Sequence, residues 1–397
     1  MDLVKEIKQE AETIFPDIVA IRRHLHRHPE LSFMEERTAA YISAKLTEWG
    51  IEHRNGIAGH GIHGALSGAD AEGPCIFLRA DTDALPIHER TGAEYASQNP
   101  GIMHACGHDV HTASLLGALK ILQKFRTQWK GMISFVFQPG EEKLPGGASL
   151  MIKEGVLENP RPQAGLAQHV FTPLPAGTVG FRSGQYMAST DELYITFTGK
   201  GGHAATPQLN IDPITAGMHT LLALKKEIEE QKPADTPMVL SFGKVIAEGA
   251  TNVIPDTMDV EGTLRTMDED WRARVHVLLQ EIAGRVAKEH GATAEVRIEK
   301  GYPVLYNDPK LTEACRRAAI EYLGAEQVRE LDLRMTAEDF AYYTQYVPCC
   351  FYRLGTGNPG KGITANVHNP HFDIDEEALK TGMGLMVYLA LDQLRRT

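Results

Sequence analysis

The sequence lacks the features that define several large classes of protein. No apolar run approaches the ~20 residues of a membrane-spanning helix, which excludes an integral membrane protein. The motifs of P-loop proteins, Gly-x-Ser-x-Gly hydrolases, HExxH metalloproteases and CxxC oxidoreductases are all absent. The cysteines number only five and show no disulfide spacing, which favours a reducing cytoplasm.

Positive charge is also scarce. The chain has 40 Lys and Arg against 52 Asp and Glu, a net charge of −12, so we expect no nucleic acid partner. The charged, helical pattern of the N-terminal residues predicts no secretory signal. The composition, 43% hydrophobic and 23% charged, is that of a globular protein, and the length of 397 residues predicts two domains.

Strands and helices alternate in the first part of the chain. We predict strands at residues 62–67, 76–80 and 132–138, and helices at residues 35–49 and 111–125. This alternation is typical of an α/β fold, with a mainly parallel sheet covered by helices on both faces.

The middle of the chain has a different pattern. Strand-like and helical stretches there predict a compact α+β unit, with strands at 193–198, 239–245, 258–265 and 294–298 and helices at 213–231 and 270–290. The βα pattern then returns and ends in a long amphipathic helix. We therefore predict a discontinuous main domain, residues 1–185 and 301–397, interrupted by a smaller domain, residues 186–300.

The densest group of reactive side chains is His104-Ala-Cys-Gly-His-Asp-Val-His111. It places three imidazoles, a thiol and a carboxylate within eight residues, and these are the normal ligands of Zn²⁺ and related cations. The glycine between Cys106 and His108 lets the backbone turn so that both side chains can converge. The segment therefore predicts a metal site.

Further candidate groups follow predicted strands. Asp81 and Asp83 come after one apolar strand, Glu141 and Glu142 follow another, and His169 closes a third. One carboxylate of such a pair can orient an imidazole or bind metal, while another serves as general base. Because ligands of open α/β sheets lie at the carboxyl ends of strands, we expect these groups to meet.

Other histidines have less context. His203 follows two glycines and could enter a cleft to stabilise a developing oxyanion. Either His368 or His371 could complete a metal site, and the residues alone do not choose between them. Three more histidines close a helical stretch before Pro29, where we expect solvent exposure: His24, His26 and His28.

Together these motifs resemble the metal-dependent aminoacylase and hippurate hydrolase family, which includes the plant indole-acetyl-amino-acid hydrolases. The resemblance runs nearly end to end, and its order and spacing are highly specific. Its segments are Arg23-His-Leu-His26 with Pro29-Glu-Leu31, Arg79-Ala-Asp-Thr-Asp-Ala-Leu-Pro86, Met103-His-Ala-Cys-Gly-His-Asp109, Gln138-Pro-Gly-Glu-Glu142, Gly202-His-Ala204, Thr251-Asn-Val-Ile-Pro255, Glu338-Asp-Phe340 and His368-Asn-Pro370.

The resemblance implies a two-metal hydrolase with a zinc-exopeptidase-like catalytic domain, residues 1–185 and 301–397. Residues 186–300 would form a lid through which the chain makes a homodimer. The substrate would be a small N-acyl-L-amino acid or peptide, whose amide bond is hydrolysed to a carboxylate and a free amino acid. The implied metal ligands are Cys106, His108, Glu142, His169 and His368.

The same resemblance implies roles for five further residues. Glu141 would be the general base, Asp83 the carboxylate that steadies the site, and His203 the lid histidine that stabilises the oxyanion. Asn252 and Arg265 resemble lid positions that contact substrate. Two cations would lower the pKa of a water molecule, whose proton Glu141 would pass to the departing amine.

The chain departs from the family pattern beside the base. Gly140 stands where alanine is usual, and Lys143-Leu-Pro145 stands where a glycine often follows the two glutamates. No ligand is lost, so we expect these changes to affect substrate choice.

Several alternatives stay open at the level of sequence. The thiol favours Zn²⁺ for the two cations, whereas the oxygen and imidazole ligands also suit Mn²⁺, Co²⁺ or Ni²⁺. The same chemistry on a peptide bond would make the protein a dipeptidase or carboxypeptidase. A non-catalytic binding protein on this fold is more distant, because the full ligand set and Glu141 are retained. The preferred acyl group and amino acid are not specified.

Overall fold

The computed structural model describes residues 3–396. The helices are α1 (Leu3–Arg27), α2 (Glu36–Glu48), α3 (His108–Lys124), α4 (Gly147–Lys153), α5 (Pro213–Gln231), α6 (Glu269–Glu289), α7 (Pro309–Leu323) and α8 (Ala378–Arg396). Within that range, no helix combines the length and apolar character needed to cross a bilayer.

The strands of the same residues are short to moderate in length. They are β1 (His53–Ile57), β2 (Gly61–Ser67), β3 (Cys75–Asp81), β4 (Met132–Gln138), β5 (Ala164–Pro175), β6 (Val179–Phe181), β7 (Gly184–Met187), β8 (Asp191–Thr198), β9 (Gly202–His203), β10 (Met238–Ile246), β11 (Val253–Ile254), β12 (Thr257–Thr266), β13 (Thr293–Lys300), β14 (Leu305–Asn307), β15 (Val328–Glu330) and β16 (Cys349–Gly357).

Contacts divide the chain into two compact units. The first comprises the residues up to Gly184, Tyr306–Asp332 and the residues from Asp339 onward, and the second comprises Gln185–Leu305 and Leu333–Glu338. The catalytic and lid roles predicted for two such domains stay predictions.

An eight-stranded sheet organises the first unit, in the order β1-β2-β4-β3-β5-β16-β6-β15. Its central strands are parallel, because β3 pairs in parallel with β4 and β5, and β5 pairs in parallel with β16. Residues of β3, β4 and β16 are buried almost throughout, which explains their near-continuous apolar sequences. Helices flank the sheet around one apolar core. The predicted α/β fold with a mainly parallel sheet is confirmed.

The second unit contains a separate antiparallel sheet, in the order β10-β12-β8-β13. Leu193, Ile195 and Phe197 alternate along β8 with more exposed residues, so one face of the sheet is buried. Helices α5 and α6 pack against this sheet and share its core. A small ribbon pairs β9 with β11. The predicted additional α+β unit is confirmed.

Three local predictions for the first unit were wrong. The third helix begins at His108 rather than at residue 111, because Gly107 adopts a left-handed φ of 81° and starts the helix immediately after it. Strand β5 continues to Pro175, so His169 lies within the strand and does not close it. His26 is buried and not exposed as predicted, and its Nδ1 lies 2.8 Å from a carboxylate oxygen of Asp109.

Candidate metal centre and active site

The candidate site lies in the first unit, beyond the ends of two parallel strands. Gly107 separates Cys106 from His108, and its left-handed conformation places the histidine in the first turn of α3. Glu141 and Glu142 lie on the turn that follows β4. These four side chains therefore come from a loop–helix junction and a strand–turn junction, the positions at which α/β sheets bind ligands.

Two further histidines approach from other segments. His169 lies in β5, two residues beyond the last pairing of that strand with β3. His368 lies in the loop before α8 with a left-handed φ of 62°, and its backbone N–H donates to the carbonyl of Ala105 at 2.7 Å. That bond ties the loop to the residue beside Cys106.

The five candidate ligand atoms are close together. Sγ of Cys106 is 3.4 Å from Nε2 of His169. Oε1 of Glu142 is 3.1 Å from Nε2 of His368 and 4.0 Å from Nε2 of His108. Atoms that share a cation at about 2.0–2.3 Å lie roughly 3–4 Å from each other, so these spacings suit metal ligands.

The ligand atoms form overlapping groups. Cys106, His108 and His169 form one, and Cys106, Glu142 and His368 form another, with the atoms of each group within 4.8 Å of one another. The structure thus brings together all five residues predicted to bind metal. It also separates the C-terminal histidines, because His368 belongs to these groups and His371 does not.

Hydrogen bonds on the far side of two imidazoles orient them. Nδ1 of His169 lies 2.8 Å from the Val170 carbonyl, and Nδ1 of His108 lies 3.2 Å from Oδ1 of Asp83. When Nδ1 donates to an oxygen, Nε2 of the same ring is the nitrogen available to a cation. Asp83 therefore occupies the orienting position that was predicted for one of the two aspartates.

An unpartnered buried nitrogen fits the presence of a cation. Nε2 of His108 is buried and has no hydrogen-bond partner, an arrangement that is costly unless another group satisfies it. A thiol, imidazoles and carboxylates are also the donor set that Zn²⁺ and related cations prefer. The residues present therefore fit a bound divalent metal.

Neighbouring carboxylates also affect the protonation of two candidate ligands. Burial disfavours the imidazolium, yet the carboxylates of Asp81, Asp83 and Glu142 raise the pKa of His108 to about 10. Burial, together with Glu142 and other carboxylates, raises the pKa of the Cys106 thiol. A divalent cation would oppose both effects, because it favours the thiolate and the neutral imidazole.

Asp81 and His111, candidates from the sequence to which no individual role was given, form a layer of hydrogen bonds behind the ligands. Oδ1 of Asp81 lies 2.6 Å from Nδ1 of His111, whose Nε2 accepts the Val170 N–H at 2.9 Å. This chain of hydrogen bonds fixes the backbone beside His169. The spacing of His108 and His111 was a usable signal, since residues three apart share one face of a helix.

The remaining predicted residues lie in the second unit. His203 is exposed on β9, and its Nδ1 accepts the Ala205 N–H at 3.1 Å. Asn252 is exposed, and its backbone carbonyl accepts the Ala204 N–H at 3.0 Å. Arg265 is half-buried on β12, and burial lowers its pKa. Backbone pairing thus joins the Asn252 segment to the His203 segment, while the roles of all three stay predictions.

Comparisons with known proteins give the family. The sequence pattern of Peptidase family M20/M25/M40 matches residues 77–392. The chain is 38% identical over 342 residues to an N-acyl-L-amino acid amidohydrolase of Geobacillus stearothermophilus, covering 84% of this chain and 92% of that one. It is 34% identical over 396 residues to thermostable carboxypeptidase 2 of Saccharolobus solfataricus, covering 98% and 99%.

A solved structure agrees with this family. The fold matches a dinuclear metal-binding peptidase of the M20 family from Bacillus subtilis with a TM-score of 0.85 and 35% identity, over 97% of this chain and 99% of that one. The resemblance predicted from the motifs is therefore confirmed. With its parallel sheet, its cluster of metal-ligating side chains and these relatives, the chain belongs to Peptidase family M20/M25/M40, a family of metal-dependent hydrolases.

Proposed function

We propose that the protein is an amidohydrolase that cleaves N-acyl-L-amino acids into a carboxylate and a free amino acid. The observation that carries this proposal is the convergence of five potential metal ligands beside Glu141 in one largely buried cluster. Similarity to an N-acyl-L-amino acid amidohydrolase over most of the chain supports the choice of substrate class.

The proposed ligands of two cations are Cys106, His108, Glu142, His169 and His368. Cys106 belongs to both ligand groups, so its thiolate would help to hold the metal together with the imidazoles and the carboxylate. We propose Zn²⁺, because a thiolate and three imidazoles favour a borderline-soft ion. Bound cations would supply Lewis acidity that polarises the acyl carbonyl and lowers the pKa of water.

Glu141 is the proposed general base. Its Oε2 lies 4.0 Å from Nε2 of His108, and the side chain is largely buried. On this mechanism Glu141 accepts a proton from the attacking water and delivers it to the amine nitrogen as the C–N bond breaks. Asp83 holds His108 in place and also accepts the Glu142 N–H at 3.0 Å, so it supports both ligands.

His203 is the proposed donor to the developing oxyanion. Because its Nδ1 accepts the Ala205 N–H, the neutral ring carries its proton on Nε2, which is then a hydrogen-bond donor. Removing one such donor typically costs about 10²–10³ in kcat. We assign substrate contacts to Asn252 and Arg265, both from the second unit.

A homodimer through the second unit is part of the proposal. Strand β10 is an edge of the antiparallel sheet, and Val245 and Ile246 at its end are more than 40% exposed. On α5, Met218 and Leu222 are one turn apart and are 46% and 69% exposed. An unpaired edge with apolar side chains favours pairing with another chain.

A cytoplasmic location is also part of the proposal, and the buried cysteines, which form no disulfides, support it.

Carboxypeptidase activity is the second candidate, because the similarity to a carboxypeptidase extends over almost the whole chain at 34% identity. The same ligands and base would serve either reaction, since both break an amide bond. The difference lies in what occupies the acyl side: a simple acyl group or an amino acid residue.

A substrate panel separates the two candidates. Protein stripped by chelator and reloaded with Zn²⁺ or Mn²⁺ is assayed for amine release from N-acetyl-, N-benzoyl- and dipeptide substrates. Metal-dependent release mainly from the N-acyl compounds is the expected result. A clear preference for dipeptides would select the peptidase, and silence with metal bound would contradict the amidohydrolase proposal. Glu141→Gln serves as the matched negative control.

A further inference from the structure

We propose that Glu35 is a positioning residue for the general base: its buried carboxylate accepts the Gly140 N–H and holds the turn from which Glu141 and Glu142 project. The role of Glu141 in this inference rests on the proposed function. The anchoring of the turn itself depends only on the contacts described here.

The side chain of Glu35 is directed at the turn and away from its own helix. It is fully buried, and its Oε1 accepts the Gly140 N–H at 2.8 Å. Although Glu35 occupies the N-cap position of α2, its side chain makes no capping hydrogen bond. Glu30 caps α2 instead, because its Oε2 accepts the N–H and the hydroxyl of Thr38 at 2.8 and 2.9 Å. Helix capping therefore does not explain the burial of Glu35.

The residue two positions earlier packs against the same glycine. Phe33 adopts a left-handed φ of 65°, and its ring lies where a Cβ on Gly140 would approach it to 2.4 Å. Gly140 itself has a φ of 62°, and its carbonyl accepts the Gly147 N–H at 3.0 Å. The Gly140 peptide is thus held by a ring contact and by hydrogen bonds on both sides.

A second carboxylate holds the next alternate amide of the turn. Oδ2 of Asp83 accepts the Glu142 N–H at 3.0 Å and the Ser32 hydroxyl at 2.6 Å. The segment from Ser32 to Glu35 therefore supports the turn at both Gly140 and Glu142. Glu141 lies between these two anchored amides.

The choice of a carboxyl group at this position is costly for stability. Burial, and then the neighbouring charge of Asp83, raises the pKa of Glu35 to about 7. Its Oε2 is buried without a hydrogen-bond partner. An apolar side chain of similar size would avoid both penalties, so the hydrogen bond to Gly140 is the feature that an acidic residue adds. An uncharged oxygen acceptor should serve equally well.

Three variants test the anchor by kinetics. Glu35→Leu removes the acceptor, Glu35→Gln keeps one, and Glu30→Ala is the matched control because Glu30 is a nearly buried glutamate that caps α2 without contacting the turn. At saturating metal we expect Glu35→Leu to lower kcat about 10–100-fold with little change in KM or metal stoichiometry, since small misplacements of a reacting group are costly. Glu35→Gln should remain near wild type, and Glu30→Ala should lower the unfolding midpoint but not kcat.

A second readout does not require turnover. Amide hydrogen exchange of a peptide spanning residues 138–142 should accelerate in Glu35→Leu and stay unchanged in Glu35→Gln and Glu30→Ala. If the wild type hydrolyses no substrate, the proposed function fails and this exchange result alone decides the anchor. Unchanged exchange and kcat in Glu35→Leu would overturn the inference. Equal impairment of Glu35→Leu and Glu35→Gln would also overturn it, because acceptance of the hydrogen bond would then not matter.

Discussion

The adjacent residues Glu141 and Glu142 allow catalysis and metal binding to be separated at the scale of single side chains. We expect Glu141→Gln to retain metal and lose at least about 10²-fold in kcat, because an amide cannot accept the proton of the attacking water. Metal content and kcat are measured on the same preparation. The control, Glu142→Gln, should lose metal as well as activity. A Glu141→Gln enzyme with wild-type turnover would remove Glu141 from the proposed mechanism.

Single residues also show where the sequence was sufficient. Cys106 and His108 could be predicted together because they lie in one dense local motif, whereas only the family resemblance chose Glu142 from its pair. The structure brings all three side chains together. The burial of His26 and of Glu35 could not be predicted, since each depends on a partner far along the chain. His26 pairs with the carboxylate of Asp109, and Glu35 with the amide of Gly140.

At the scale of elements, the turn after β4 depends on the absence of a side chain at Gly140. We expect Gly140→Ala to destabilise the fold by about 1–3 kcal/mol, because alanine tolerates the left-handed φ poorly and its Cβ would press on the Phe33 ring. Urea unfolding measures the effect. When Phe33 is already replaced by alanine, Gly140→Ala should lower the free energy of unfolding by less than it does in the wild-type protein. Strict additivity would mean that the ring contact is not the cause.

Asp191, at the start of β8, ties that strand to α6. Burial opposes its ionisation, but hydrogen bonds from Arg272 at 2.9 Å and His276 at 2.6 Å hold its pKa at about 2. A carboxylate whose pKa is lowered in the folded state stabilises the fold above its unfolded pKa of about 4, and this contribution fades as the pH falls toward 2. The second unit should therefore be weakened by acid.

The pH dependence can be measured against a substitution. Between about pH 5 and pH 3, the difference in unfolding free energy between the wild type and Asp191→Asn should shrink by about 1 kcal/mol. Asp235→Asn changes an exposed aspartate before β10 and should show no such trend. A difference that is constant with pH would contradict the assigned ionisation.

Elements with strong local signals were predicted well. The predicted bounds of β4 and α5 match the observed Met132–Gln138 and Pro213–Gln231, because a mostly apolar run and an Asp-Pro helix start are both local signals. The start of α3 was missed by three residues, since the left-handed conformation of Gly107 is not determined by its neighbours in sequence. The extension of β5 past His169 depends on pairing with β16, which lies far along the chain.

At the scale of the whole molecule, metal should stabilise the fold. A cation whose free concentration is about 100-fold above its Kd raises the free energy of unfolding by roughly 2.7 kcal/mol. Chelation should therefore lower the unfolding midpoint by a few degrees. Calorimetry with and without chelator measures the change. Cys106→Ala should show a lower midpoint before chelation and a smaller response to it. An equal response in both proteins would exclude Cys106 from the ligand set.

If the homodimer forms through the exposed apolar side chains of α5 and β10, replacing them with charged residues should halve the mass in solution. Leu222→Glu combined with Ile246→Glu should convert a dimer into a monomer, because two exposed apolar contacts of the second unit are replaced by like charges. Light scattering after size-exclusion chromatography gives the mass. Tyr346→Glu, an exposed position of the first unit, should remain dimeric. A monomeric wild type at micromolar concentration would contradict the proposal.

The place of β16 in the sheet has a consequence for the order of events during synthesis. It lies between β5 and β6, although both of those strands are translated long before it. Until it emerges from the ribosome, β5 keeps an open hydrophobic edge beside His169, and such edges invite aggregation. His368 is translated later still. The nascent chain must therefore stay protected through translation of the entire second unit, and the proposed ligand set, which includes His368, would be complete only near the end of synthesis.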